Sequence, residues 1–195
     1  MKIKREDIEV IYDSLSSTWS YSPKDFRLQS PIILFIGTAK HKNLERTIKA
    51  LEGLDCSLRI IGNIDSYMVK QIENSGVKYS NAKQLSDDEV YNEYKKCDIV
   101  CFPSCYEGFG MPIIEGNAVG RCVLTSDIEP MTEIAGDAAC LVNPYSVESI
   151  KDGINKIVTD CSYRKNLIEN GLQNILKYSV QIMGKQYMKL YKEIK

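Results

Sequence analysis

Cys101-Phe-Pro-Ser-Cys105-Tyr-Glu-Gly-Phe-Gly110-Met-Pro-Ile-Ile-Glu115-Gly-Asn-Ala-Val-Gly120 begins on an apolar run, ends on a glycine and carries two carboxylates between them. Asp98 to Phe102 reads as a strand. The loop after it holds Glu107, Gly108 and Gly110, and Pro112 opens a short helix with Glu115 on its first turn. A strand running through a glycine loop into a helix start is a common way to hold a phosphate. The first amides of the helix lack intrahelical partners, and the dipole adds roughly half a positive charge there. Proline suits the first turn because its missing N–H would have had no partner. A phosphate repels the two bracketing acids, so they must bind something else.

The same alternation continues on both sides. Upstream, Ile32-Ile-Leu-Phe-Ile36 is a continuous apolar run, as in a strand covered on both faces, and Gly37-Thr38 ends it. Asn43 reads as the cap of a helix with Leu44, Ile48 and Leu51 on one face, a Glu45–Lys49 pair outside and Gly53 past its end. Leu58 to Ile61 is a second strand, followed by a helix over 66–74, a short strand over 77–79 and a helix over 87–96. Downstream, strands are expected over 122–125 and 139–142, with a helical turn or two over 130–135. This spacing implies βαβ units, and so an α/β, Rossmann-like, doubly wound parallel sheet. Ligands of such sheets bind beyond the carboxyl ends of the strands, where Glu107 to Gly110 falls.

The last third reads as helical. Ser146 caps a helix carrying Val147, Ile150, Ile154, Ile157 and Val158, and another is expected over 163–176. A last helix, 180–194, repeats Val180, Met183, Tyr187, Leu190, Tyr191 and Ile194 at helical spacing with lysines opposite. These stripes read as packing faces, although a basic amphipathic helix also fits a membrane surface. At the other end, Ile8 to Tyr12 has the composition of one strand, and 13–30 is a Ser/Pro/Tyr-rich connector without periodicity. Met1-Lys-Ile-Lys-Arg5 reads as a solvated terminus.

The 195 residues are 44% hydrophobic and 26% charged, which permits a core and argues against disorder. A net charge of −1 with scattered basic residues offers no field for nucleic acid. No apolar run approaches the ~18 residues of a membrane span, and the first residues do not read as a secretory leader. Seven cysteines, an odd number without a CxxC pair, and a single histidine argue against disulfides and zinc. A reducing cytoplasm and no metal are expected.

Acids near a helix N-terminus have a structural explanation, since the dipole favours negative charge there. The adjoining Gly108-Phe109-Gly110 adds a second one. Glycines admit a ligand to the backbone, and carboxylates accept hydrogen bonds from hydroxyls. The group suits a ligand with phosphates in the middle and hydroxylated rings at each end, which describes a nucleotide sugar.

Glu107-Gly-Phe-Gly-Met-Pro-Ile-Ile-Glu115 resembles the E-x7-E signature of retaining glycosyltransferases of family 4 (glycosyl transferases group 1), which have the two-domain GT-B fold. The surrounding order is similar too: Phe35-Ile-Gly37-Thr, Lys42-Asn-Leu-Glu-Arg, Leu58-Arg-Ile-Ile-Gly62, Cys97-Asp-Ile-Val, Thr125-Ser-Asp127 and Glu133-Ile-Ala-Gly136-Asp-Ala-Ala139. The likeness covers roughly 31–160, nearly all of the family's C-terminal, donor-binding domain.

By this resemblance Glu107 would bind donor-sugar hydroxyls near the anomeric centre, and Glu115 would accept bonds from the ribose. Backbone amides of Phe109, Gly110 and Met111, after Gly108, would hold sugar and diphosphate oxygens, with the helix from Pro112 facing the leaving phosphate. Lys42 would stabilise negative charge on the departing nucleotide. Gly37 would let its loop come close, Thr38 would contact the donor through a hydrogen bond without charge, and backbone around Gln84 and Leu85 would read the base. The implied layout is an interdomain connector at 1–30, a donor-binding domain at 31–178, and a helix at 179–195 that packs back on an N-terminal acceptor domain absent from this chain. The implied activity is hexosyl transfer from a nucleoside-diphosphate sugar without a cofactor, in surface-polysaccharide synthesis, with this portion inactive alone. The full-length protein would sit in the cytoplasm, with peripheral association at the inner face of the membrane.

Two departures stand out. Many members carry Arg where Thr38 stands, so Lys42, helped by Lys40 or Arg46, would have to supply more of the charge. Gly116-Asn117 replaces the small-then-apolar pair usual after the second Glu. A helical Gly costs about 1 kcal/mol relative to Ala, and close packing against a strand is the expected reason. The alternative function is a stand-alone nucleotide-binding or partner module without turnover. A Rossmann dehydrogenase would need G-x-G-x-x-G after the first strand, and Ile113 stands where a third glycine belongs. A sugar-nucleotide epimerase shares the fold, but its own motifs would lie in the missing half.

Overall fold

The apolar run at Ile32–Ile36 forms β1 and is buried on both faces, Ile33 and Phe35 turning to one apolar layer and Leu34 to the other. The structure, a computed structural model, describes residues 8–193. In order they form β1, α1 (Leu44–Leu51), β2 (Ser57–Ile61), α2 (Ser66–Ser75), β3 (Lys78–Ala82), α3 (Asp87–Lys96), β4 (Ile99–Phe102), α4 (Met111–Val119) and β5 (Cys122–Ser126). α5 (Met131–Ala135), β6 (Cys140–Val142), α6 (Val147–Thr159), α7 (Cys161–Asn174) and α8 (Val180–Glu193) complete the chain. The strands make one parallel sheet in the order β3-β2-β1-β4-β5-β6. This is the expected Rossmann-like sheet. Its strand order reverses between β1 and β4, and ligands of such sheets bind at that switch point beyond the carboxyl ends.

Helices cover both faces. α1, α2, α6 and Leu167 of α7 pack on the layer of Ile33, Phe35, Leu58 and Ile60. α3, α4, α5 and Tyr178 pack on the layer of Leu34, Val100 and Val123. Full burial of each such side chain stabilises the fold by about 1.5–3 kcal/mol. The sheet therefore holds the loops after β1 and β4 on a rigid base.

Several boundaries differ from those the sequence suggests. Ile8 to Tyr12 forms no strand: Tyr12 packs its ring near Phe109 and Tyr178 and donates to Glu133, and Leu15 makes an isolated bridge with Ser179. The third strand is shifted to Lys78–Ala82, an exposed edge whose register comes from β2 rather than from its own apolarity. α4 starts at Met111, so Pro112 is its second residue and Glu115 lies past the first turn. α7 ends at Asn174 and passes into a 3-10 turn at Ile175–Tyr178. The readings on Met1 to Arg5 and on Ile194 lie outside the described residues.

The segment before β1 lies along the domain. Lys24 pairs with the buried Asp98, whose carboxylate also accepts from the amides of Ile32 (2.8 Å) and Arg27 (3.2 Å). Trp19 packs edge-on against Tyr91 and Tyr94. α8 has no buried residue, and Val180, Tyr187 and Tyr191 of its expected packing stripe are exposed. Among the described residues, no helix is long and apolar enough to cross a membrane.

Candidate functional site

Two loops face each other across the switch point. After β1, Gly37 turns at φ 82°, and the 3-10 turn Lys40–Lys42 brings the Lys42 side chain back over it. A Cβ on Gly37 would lie 3.2 Å from Lys42 Cε, so the glycine makes room for that stem. Lys42 Nζ lies 4.8 Å from the ring centroid of Phe102 at the end of β4 and donates to Glu107 Oε1 at 2.8 Å. The predicted cation and the predicted sugar-binding acid are thus joined in one half-buried ion pair.

Asn43 holds the two loops together, and the sequence reading of it needs correcting. Its backbone is left-handed (φ 71°), and its side chain caps nothing. The buried amide donates to the carbonyls of Pro103 (2.9 Å) and Pro144 (2.6 Å) instead. Cys105 N donates to His41 O at 2.7 Å across the same junction. Arg46 is not turned to help Lys42: its guanidinium donates to Asn43 Oδ1 at 2.8 Å and lies near the Tyr145 ring. Thr38 donates its hydroxyl to Asn63 O, tying this loop to the one after β2. Lys40 lines a neighbouring concavity of about 890 Å³ with His41, Asp65 and Cys105.

The loop after β4 reaches α4 through Gly110, which at φ 120° caps the helix with no side chain. A Cβ there would sit 3.0 Å from Ile113 Cδ1. Ile113 N turns back to Gly110 O at 2.9 Å, and Pro112 has no N–H. Among the described residues, the amides of Phe109, Gly110 and Met111 have no protein acceptor. The anion-facing donors are therefore this loop and the first residue of α4, fewer than an ordinary helix start supplies.

Glu115 lies deeper. The wholly buried Tyr94 of α3 donates its hydroxyl to this carboxylate. Burial raises the Glu115 pKa above the usual carboxylate range and the nearby Asp87 charge adds to this, while the Tyr94 bond and Lys42 act the other way. Asp87 opens α3 just after Gln84 (φ 55°) and Leu85, so the expected base-reading backbone borders Glu115. Gly116 packs as expected, since a Cβ there would be 2.7 Å from Val123 and 3.1 Å from Val100. Asn117 is buried, donating to Ala138 O and accepting from Asn174, both at 3.1 Å.

All twelve predicted site residues thus fall on the loops after β1, β3 and β4 or on α4, with the Thr38 hydroxyl engaged by Asn63 O. Sequence reasoning missed Tyr94 and the locking role of Asn43. Tyr94 reads only as one more apolar position on a helix, while an Asn before a helix suggests a cap. A second concavity, about 570 Å³, lies at the amino ends of β1–β3; its Glu93 is already paired with Arg59 and Lys96.

The sequence matches the family described as glycosyl transferases group 1 over residues 21–174. The uncharacterized glycosyltransferase MJ1178 of Methanocaldococcus jannaschii is 30% identical over 193 residues, 95% of this chain and 53% of that protein. The serotype-specific mannosyltransferase WbdA of Escherichia coli is 27% identical over 188 residues, 89% of this chain and 23% of that protein. The chain spans about half the length of the first relative and about a quarter of the second. The structure of Anabaena HepE in complex with UDP and glucose superposes with a TM-score of 0.85 at 16% identity, over 97% of this chain and 58% of that chain, a likeness of fold. The matched residues include β1, β4, Lys42 and both carboxylates, and the chain belongs to the glycosyl transferases group 1 family as a C-terminal domain of the GT-B fold.

Proposed function

We propose that this chain is the nucleotide-sugar-binding part of a retaining glycosyltransferase. The observation that carries the reading is the Lys42–Glu107 pair, set at the switch point beside the uncapped start of α4. The diphosphate lies between Lys42 and the amides of Phe109 to Met111. The sugar hydroxyls meet Glu107, and the ribose meets Glu115. Backbone at Gln84 and Leu85 faces the base. In the reaction the bond from the anomeric carbon to the diphosphate breaks and the acceptor oxygen bonds on the same face. The acceptor proton passes to the released phosphate oxygen. Lys42 stabilises the charge that builds there, and Gly37 keeps the way to it open. In this reading no resident metal is needed, because lysine and amides take that charge.

The acceptor is bound by a further domain outside this chain, and α8 offers its exposed Val180, Tyr187 and Tyr191 face to that domain. In the same reading residues 1–30 are the connector between the domains, and this portion alone is without turnover. The name of WbdA, a serotype-specific mannosyltransferase, supports a hexose donor and a surface-polysaccharide setting. In this reading the full-length protein sits in the cytoplasm, at the inner face of the membrane. Calorimetric titration of the chain with UDP, GDP and ADP sugars tests the core of this reading. Binding of one series, weakened by Lys42→Ala and by Glu115→Ala, is expected. Absence of binding by folded protein across all three would overturn it.

A further inference from the structure

Phe109 sits between Gly108 and Gly110 in a loop without regular structure, so its backbone neighbours do little to fix it. Two tyrosines from distant parts of the chain hold the ring. Tyr12 lies 6.1 Å from it, centroid to centroid, and Tyr178 lies 5.7 Å away, edge-on. The tyrosines contact each other at 6.0 Å, closing a triangle of rings. Both are pinned at their polar ends by α5, where Tyr12 donates to the Glu133 carboxylate and Tyr178 to Ile134 O at 3.2 Å.

The position of this triangle gives it a consequence. Leu15 N donates to Tyr178 O at 2.9 Å, so the segment before β1 and the turn leading into α8 meet here. Residues 12–15 and the turn into α8 therefore meet beside the donor loop. We propose that Tyr12 is a positioning residue, which sets the conformation of the Phe109–Met111 amides through the Phe109 ring. Any shift of the segment before β1 is then felt at those amides. The proposal rests on the donor-site reading for its effect on nucleotide, but not for its effect on the loop.

The test compares Tyr12→Ala, Tyr12→Phe and, as a control that destabilises the core on the other face of the sheet, Leu167→Ala, all in the 195-residue chain. Amide order parameters of residues 107–111, from nitrogen relaxation, are read first, then affinity for UDP, GDP and ADP. Aromatic contacts of this kind lead us to expect about a three- to tenfold loss of affinity in Tyr12→Ala, together with lower order parameters in the loop. Tyr12→Phe, which keeps the ring, restores most of both, and Leu167→Ala moves neither. Unchanged order parameters in Tyr12→Ala, or an equal change in Leu167→Ala, overturn the positioning role. If no nucleotide binds the unmodified chain, the donor reading fails while the order parameters still decide the positioning.

Discussion

The Tyr94 hydroxyl, rooted in the core, donates to the Glu115 carboxylate, so the acid nearest the proposed ribose is held from behind by the second apolar layer. One oxygen is engaged by the fold, which leaves the other lone pairs for ligand hydroxyls.

That arrangement predicts a pH dependence. Burial raises the Glu115 pKa, so the folded protein holds its proton more tightly than the unfolded chain. Its contribution to stability is full below the ordinary carboxylate range and is lost as pH rises through the raised value. Glu115→Gln should therefore gain stability relative to the unmodified chain as pH increases from about 4.3, read by urea denaturation at successive pH values. Nucleotide affinity should rise over the same window, because the ionised form accepts the ribose hydroxyls. Tyr94→Phe should move that rise to higher pH. An affinity independent of pH would separate Glu115 from the ligand.

The Lys42–Glu107 pair makes a second, opposed pair of expectations. Without ligand the lysine is engaged by Glu107 at 2.8 Å, and an incoming diphosphate competes for it. Lys42→Ala should weaken nucleoside-diphosphate binding by about thirtyfold or more, the usual cost of truncating a part-buried charged partner. Glu107→Gln should leave diphosphate binding unchanged or tighter, while abolishing the added affinity of the sugar. Titrating each variant with both the nucleotide and its sugar conjugate separates the two. Equal losses in both variants would mean that the pair is structural.

How legible the chain was depends on where each residue's partner lies. β1 and β4 announce themselves because burial on both faces demands unbroken apolar runs. β3 reads Lys-Tyr-Ser-Asn-Ala, and only pairing with β2 makes it a strand. Ile8 to Tyr12 misleads in the opposite sense, since β-branched residues favour a strand but this stretch pairs with none of the six. In the candidate site, the acids and glycines form a compact signature that a single sequence displays. Tyr94 and Tyr12 act on partners 21 and 121 positions away, distances over which a single sequence carries no pattern. Asn43 had the right residue type for a cap, and its competing bonds came from Pro103 and Pro144, which only the fold brings near.

Gly116 and Gly184 predict opposite outcomes for the same substitution. Both lie in helices, where Ala is better by about 1 kcal/mol. At Gly116 the new methyl meets Val123 at 2.7 Å and Val100 at 3.1 Å, so Gly116→Ala should destabilise the domain by about 1–3 kcal/mol through overpacking. At Gly184 nothing lies within 4 Å, so Gly184→Ala should increase helicity in α8. Circular dichroism and urea melts on the two variants check this. A stabilising Gly116→Ala would mean that α4 can move away from the sheet.

Asp98 tests whether the segment before β1 is a true strap of the domain. Its side chain is fully buried, pairs with Lys24, and accepts from the amides of Ile32 and Arg27. Asp98→Ala strands a half-buried lysine and two backbone donors, and should cost about 3–5 kcal/mol. Lys24→Ala leaves the carboxylate with both amides, and the loss should be nearer 1–3 kcal/mol. Urea denaturation followed by the fluorescence of Trp19, which packs on Tyr91 and Tyr94, reports stability and attachment together. A loose segment would show a separate early fluorescence change and a cost below about 1 kcal/mol for either variant. A docked one shows a single transition shifted in the order stated, because the ion pair then anchors the segment to the start of β4.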